Sequence, residues 1–487
     1  MDWSSIFFYT HFALAVLASI RIIYSRRSSS AALAWLTLLY ALPVFGLLLY
    51  ALIGEPQLGR QRARRQADLL AFHTEFADRF LPPDTIPLCD IRFRQLSEFI
   101  KKECYFAALS GNRVQLLQNT DSMLNSMIAD IHAAKHCCLL GFYIIDVEGR
   151  IEALMRALIS AATRGVRCQI LADSVGSKNF WESDWPQRLQ KAGVEVTAAL
   201  PVGIASSLWV RSDLRNHRKI MVVDYRIAYT GSYNLVDPKL FKQQSGVGEW
   251  IDAMMRCEGM VAQQLAAIFY GDWAVENDYN LKATLTQLNG YLQEMPDHIE
   301  MQQLGGDLLQ TLPSQPGSDQ ALIYDVITAA LYRAQSQIMI CSPYFVPDEA
   351  LLNALITAAK RGVAVKLIMP KHNDSRLVYY ASRAYYQSLL DAGVEILMYQ
   401  GGLLHTKTVL VDRQFALFGT ANMDMRSFYL NLEVTIAVYT ADAIAQIERL
   451  LEDYLADCQP VELSKWQTRG RLQRFLERCV RLISPLL

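Results

Sequence analysis

The sequence repeats itself, and the repeat limits what the chain can fold into. "AATRGVRCQILADS" from Ala161 is echoed by "AAKRGVAVKLIMPK" from Ala358, and "KAGVEV" from Lys191 by "DAGVEI" from Asp391. Upstream, "GFYIIDV" from Gly141 lines up with "SPYFVPD" from Ser342. Each unit reads strand, helix, Arg-Gly-Val turn, strand, helix, Ala-Gly-Val turn, strand. Such alternation predicts an α/β layered domain whose helices cover a largely buried sheet. The period is too long for a solenoid. The fold class expected is therefore two duplicated α/β layered domains around a pseudo-twofold axis, spanning residues 111–300 and 301–460. The copies differ mainly by an insertion, "ALPVGIASSLWVRS", between Glu195 and His217. A lid, a membrane-facing loop and a packed surface excursion all fit it.

The repeat carries chemistry. "NHRKIMVVDYRIAYTGSYNLVD" (Asn216 to Asp237) has a twin in "LHTKTVLVDRQFALFGTANMD" (Leu404 to Asp424). Both read HxKxxxxDxxxxxxG(S/T)xN, so His217, Lys219, Asp224, Ser232 and Asn234 match His405, Lys407, Asp412, Thr420 and Asn422. Alternate strand residues share a face, so each His and Lys, two apart, project together. After the turn, the hydroxyl and the carboxamide project together as well. One half thus presents an imidazole, an ammonium, a hydroxyl and an amide, and two halves present two of each. That is a cage for a phosphodiester, with cations and donors for its oxygens and an imidazole on either side of phosphorus. A lone strand histidine is ordinarily a satisfied core residue. An adjacent lysine is costly to bury unpaired, and recurrence of the whole set points to a working site.

With these motifs the chain resembles the phospholipase D superfamily, whose signature is the tandem HxKxxxxD motif. Two N-terminal apolar runs, "GEPQLGR" (Gly54 to Arg60), "YTGSYNLVDP", "GGLLHTK" and a terminal "SPLL" make it similar to the bacterial cardiolipin synthases within it. The resemblance implies metal-free, cofactor-free ping-pong transfer through a phosphatidyl-histidine. Phosphatidylglycerol would be donor and acceptor, and cardiolipin and glycerol the products. Phospholipase D hydrolysis, or transfer to another alcohol, is the alternative. The implied catalytic set is His217, Lys219, Asp224, His405, Lys407 and Asp412, with His217 as nucleophile and His405 as acid/base. Ser232, Asn234, Thr420 and Asn422 would help hold the phosphoryl oxygens. The resemblance also suggests a downstream acid for each imidazole. Asp252 in "EWIDAMMR" and Glu433 in "NLEVTIAV" occupy suitable strands, although strand-edge surface charge describes them equally. Asp224 and Asp412 close apolar strands, a position that also suits a buttress.

The first fifty-odd residues differ from the rest. Trp3 to Tyr24 and Ala31 to Ile53 are apolar runs, each about 33 Å long as a helix, which matches a bilayer core. The expectation is a transmembrane hairpin over residues 1–54, with spans about 3–24 and 31–53, then a basic linker region over 55–110. A cleaved signal peptide is the rival reading of the first run, disfavoured by the second span that follows it directly. Arg60, Arg62, Arg64 and Arg65 outnumber Arg26 and Arg27 of the connection. Both ends and the catalytic domains are therefore expected in the cytoplasm of a bacterium, on its inner membrane. Nine cysteines without CxxC spacing agree with a reducing compartment.

Lys plus Arg (47) nearly balances Asp plus Glu (48), so no global basic field recruits nucleic acid. No P-loop or dinucleotide fingerprint points to a nucleotide, and no zinc spacing to a metal. His132 and His136 lack the Glu of HExxH and read as an exposed helix face. In the tail, 461–487, Leu472, Phe475, Leu476, Cys479, Leu482 and Ile483 recur at helical spacing, interleaved with Arg471, Arg474, Arg478 and Arg481. A basic amphipathic helix of this kind suits anionic membrane lipids. A helix docked on the protein with a solvated basic face fits the same residues.

Overall fold

Among the described residues, each half of the duplicated region contributes seven strands of four residues or more in the same order. In the first they are β1 (Leu109–Leu117), β2 (Cys137–Phe142), β3 (Arg167–Asp173), β4 (Glu195–Ala199), β5 (Lys219–Val223), β6 (Ile227–Gly231) and β7 (Met254–Gly259). In the second they are β8 (Asp307–Ser314), β9 (Gln337–Cys341), β10 (Ala364–Pro370), β11 (Glu395–Tyr399), β12 (Thr408–Val411), β13 (Phe415–Gly419) and β14 (Asn431–Val438), with β15 (Cys458–Pro460) added at the edge. They join in one mixed sheet ordered β15-β11-β10-β9-β12-β13-β14-β8-β1-β7-β6-β5-β2-β3-β4. The order reads alike outward from its centre, where β1 and β8 pair antiparallel with Leu109 opposite Leu309. That central pair marks the pseudo-twofold axis. The computed structural model describes residues 3–24, 29–54, 68–69, 71–77, 91–201, 213–277, 284, 286, 304–316 and 321–483.

Within each half the outer three of the seven repeated strands are parallel and the inner ones antiparallel, as β2-β3-β4 and β2-β5-β6-β7 illustrate, and the added β15 is antiparallel to β11. Both faces of β2 are covered. Cys138, Leu140 and Phe142 join a core with helices Thr120–Ala133 and Ile151–Thr163. Cys137 and Leu139, alternating with them, join the larger core that runs through both halves. Helix Val261–Glu276 in that larger core is buried around nearly its whole circumference. Its apolar residues explain this, and its polar Gln264 is satisfied by donating to Ala107 O (2.8 Å) and accepting from Thr311 N (3.1 Å).

The structure differs from the sequence expectations in two places. The second apolar run is not one continuous helix but two, Ser29–Ala41 and Phe45–Ile53. Pro43 lacks an N–H and Val44 takes φ 66°, so the helix breaks between them. The Val44 N–H donates to His11 Nε2 of the first helix at 3.0 Å. By length and composition, Trp3–Tyr24 alone among the described helices is long and apolar enough to cross a membrane. The second difference concerns the stretch read as linker, 55–110. Leu69, Phe72 and Phe76 are buried in the main core, and helix Ile91–Cys104 buries Phe93, Leu96 and Ile100 there. Phe93 stacks on Phe415 of the second half at 4.9 Å. These residues belong to the body, and β1 itself starts ahead of residue 111. The basic cluster Arg60 to Arg65, Arg26 and Arg27, most of the insertion before His217, and the terminal "SPLL" lie outside the described residues.

Candidate active site

Two short parallel ladders bring the motifs together across the axis. Arg215–Asn216 pairs with Asn431–Leu432, and Leu403–Leu404 pairs with Trp250–Ile251. The next residue in each register is the site itself. His217 N–H donates to Leu432 O (2.9 Å), and His405 N–H donates to Ile251 O (2.8 Å). His217 therefore stands opposite Glu433, and His405 opposite Asp252. Each histidine meets the acid of the other half: His217 Nδ1 lies 2.9 Å from Glu433 Oε2, and His405 Nδ1 lies 2.7 Å from Asp252 Oδ1.

A carboxylate only accepts, so Nδ1 carries the proton and each Nε2 keeps its lone pair. Burial, the largest influence, lowers both imidazoles to about 4 against the pull of their acids, so both are neutral at pH 7. Burial also lowers Lys219 to about 8 and Lys407 to about 7. Burial pushes Asp252 and Glu433 up, but their histidine and lysine neighbours outweigh it and hold both below the usual carboxylate range. Charge crosses the axis throughout, because Lys407 acts on His217 and Lys219 on His405. Two lysines and two carboxylates bring the site near electrical balance. A phosphodiester anion entering it stabilises both ammonium groups and favours one protonated imidazole.

The remaining motif residues divide into two kinds. Thr420 Oγ1 donates to Glu433 Oε2 at 2.5 Å, and Ser232 Oγ accepts from Ala253 N at 3.0 Å beside Asp252. The hydroxyls expected on phosphate are thus engaged with the acids and the backbone beside them. Asn234 accepts from Ile144 N through Oδ1 (3.2 Å), which leaves its buried Nδ2 without a partner, while the unpartnered atom of Asn422 is its acceptor, Oδ1. The open donor on Asn234 suits a ligand oxygen. Lys219 Nζ donates to His217 O (2.8 Å) and Lys407 Nζ to His405 O, which aims each ammonium while leaving further N–H groups available.

Asp224 and Asp412, which the resemblance puts in the catalytic set and whose position also suits a buttress, bond to backbone away from the two imidazoles. Asp224 accepts from the N–H groups of Lys135, His136 and Cys137 at 2.7 to 2.9 Å, ahead of β2. Asp412 accepts from Gln335, Ser336 and Gln337 ahead of β9. Both open tight hairpin turns in which two successive residues have positive φ: Asp224 and Tyr225 at 50° and 54°, Asp412 and Arg413 at 52° and 57°. Asp tolerates that region, and its carboxylate ties the hairpin to the neighbouring strand.

Several residues at the site escaped sequence reasoning. Tyr143 packs edge-on against His217 at 4.9 Å, with Lys219 Nζ 5.4 Å from its ring centre. Trp250 packs against His405 at 4.5 Å. Arg218, buried between the motif His and Lys, donates to Asp272, to Glu433 O (3.0 Å) and to Ser314 O (2.9 Å). The aligned tyrosine of "GFYIIDV" and "SPYFVPD" was the available signal for Tyr143. Arg218 has Thr406 as counterpart, so the repeat gave no sign of it.

A duplicated α/β sheet with two His-Lys pairs meeting at its axis defines a phospholipase D-like protein. The family described as "Cardiolipin synthase, PLD-like domain" matches residues 127–273 and 327–455, and "Phospholipase_D-nuclease N-terminal" matches 13–55. Cardiolipin synthase A of Erwinia tasmaniensis is 39% identical, and that of Serratia proteamaculans 38%, each over 100% of this chain and 99% of the relative. The phosphatidylserine synthase of Haemophilus influenzae Rd KW20 shares the fold, with TM-score 0.58 and 14% identity over 80% of this chain and 100% of that one. The chain belongs to the cardiolipin synthase family of the phospholipase D superfamily.

Proposed function

We propose that the protein makes cardiolipin by moving a phosphatidyl group from one phosphatidylglycerol to another, with release of glycerol. One observation carries this reading: two imidazoles, each held by the other half's acid, share one buried site with two lysines. With the phosphodiester bound, His405 carries a second proton on Nε2; His217 Nε2 attacks phosphorus, the bond to the glycerol oxygen breaks, and the departing oxygen takes that Nε2 proton. The headgroup hydroxyl of the second phosphatidylglycerol then gives its proton to His405, attacks phosphorus, and displaces His217. Lys219, Lys407, Asn234 and Asn422 hold the phosphoryl oxygens. Glu433 and Asp252 fix the imidazole tautomers, Ser232 and Thr420 hold those acids, and Asp224 and Asp412 buttress the hairpins. Domain bounds follow the sheet, with the first repeat opening at β1 and the second at β8.

The protein is read as an inner-membrane protein. Helix Trp3–Tyr24 supplies one span and the broken arm Ser29–Ile53 returns the chain, so that the catalytic body faces the cytoplasm. The family's name and the apolar, outward-facing first helix support this placement.

The test uses purified full-length protein in detergent with phosphatidylglycerol as the sole lipid. Cardiolipin and glycerol in equal amounts are expected, with His217→Ala slower by about a thousandfold or more. Phosphatidic acid as the main product would make the protein a hydrolase. No turnover of phosphatidylglycerol would remove the reading altogether.

A further inference from the structure

The tail helix Arg471–Ile483 is docked the wrong way round for a soluble protein. A surface helix normally buries its apolar stripe and exposes its charges. Here Leu472, Phe475 and Leu476, one face by their i, i+3, i+4 spacing, are 73%, 63% and 42% exposed, while Glu477 is 2% exposed. The helix packs against Arg376–Asp391 of the second half, and Glu477 is its anchor. Arg383 Nε lies 2.9 Å from Glu477 Oε1, and Arg469 lies 3.1 Å from Oε2. Both guanidinium groups also stack on Trp466, at 4.4 and 3.4 Å from its ring centre, and Trp466 packs on Tyr386 at 5.0 Å. Arg481 adds a contact over Tyr385 at 5.2 Å. A buried carboxylate held by two arginines is an expensive anchor for a helix with an apolar face to offer instead. The anchor leaves that face turned outward.

We infer that this face is a bilayer-docking surface, which takes the interfacial region of a membrane containing anionic lipid. Exposed Arg471, Arg474 and Arg478 flank the apolar residues and complement anionic headgroups. A second copy fits worse, since face-to-face contact would bring these arginines against their own equivalents. The surface is also linked to the site. The helix it rests on begins beside Asp374, which accepts from Tyr344 Oη (2.7 Å) and pairs with Lys242 (3.7 Å). Lys242 Nζ lies 5.3 Å over Trp250, the ring packed on His405. The helix that carries the docking surface is therefore joined by side-chain contacts to the His405 side of the site.

The test replaces Phe475 with the photo-crosslinker p-benzoylphenylalanine in the full-length protein, reconstituted in phosphatidylcholine vesicles with or without phosphatidylserine. Neither lipid is the proposed substrate, so the readout does not depend on the reaction assigned above. Irradiation is expected to give a lipid adduct at least about fivefold more abundant than from the same crosslinker at Tyr332, an exposed side chain elsewhere. The yield is expected to fall about threefold or more when phosphatidylserine is left out. A protein–protein adduct between copies, or equal yields at both positions, would overturn the docking surface. Equal yields with and without phosphatidylserine would overturn the role of the arginines.

Discussion

At the scale of single residues, the site depends on two carboxylates that a strand-edge position made ambiguous. Glu433→Gln and Asp252→Asn each remove the group that fixes an imidazole tautomer, and should lower kcat by about a hundred- to ten-thousandfold with little change in thermal midpoint. Asp224→Asn should do the opposite. It weakens three backbone bonds ahead of β2, costing about 1–3 kcal/mol by thermal melting while the folded protein keeps its kcat. The pH response follows from burial. Both histidines fall from the unfolded value of 6.5 to about 4, so the unfolded chain binds more protons in that window. Stability is fully present above about pH 6.5 and is lost as pH falls toward 4, readable by denaturant titration at stepped pH. In activity, the proton that His405 donates must be taken up with the substrate, so kcat/KM should fall as pH rises, with a further break near 7 where the Lys407 ammonium is lost. That second break should lie higher in kcat, because bound phosphodiester raises the lysine. The His-Lys set was legible because it is repeated. The roles of Ser232 and Thr420 were not, because a two-residue alternation says which face a hydroxyl takes and not which neighbour claims it.

Among the elements, the short ladders Arg215–Asn216 with Asn431–Leu432 and Leu403–Leu404 with Trp250–Ile251 do the assembling. Two-residue strands leave no periodic trace in a sequence, so the exchange of acids between halves was out of reach. The long strands and their helices were legible, since β-branched runs and Arg-Gly-Val turns recur in both copies. Helix Ile91–Cys104 fell inside the region read as linker because its partner Phe415 is far away in the chain. Phe93→Ala should destabilise the body by about 3–5 kcal/mol, measured by chemical denaturation. A change of 0.5 kcal/mol or less would return that helix to the linker.

On the scale of the whole molecule, the site belongs to neither half, because each imidazole depends on an acid from across the axis. The central claim is that His217 takes the phosphatidyl group while His405 manages the proton. Phosphatidyl-p-nitrophenol tests it most directly, since its leaving group needs no acid and only the second step then requires His405. His405→Ala given this donor should release one equivalent of p-nitrophenol and stall. A neutral denaturing quench followed by peptide mass spectrometry should then place the phosphatidyl group on His217. An adduct on His405 in His217→Ala, with none in His405→Ala, would contradict the assignment and reverse the two halves.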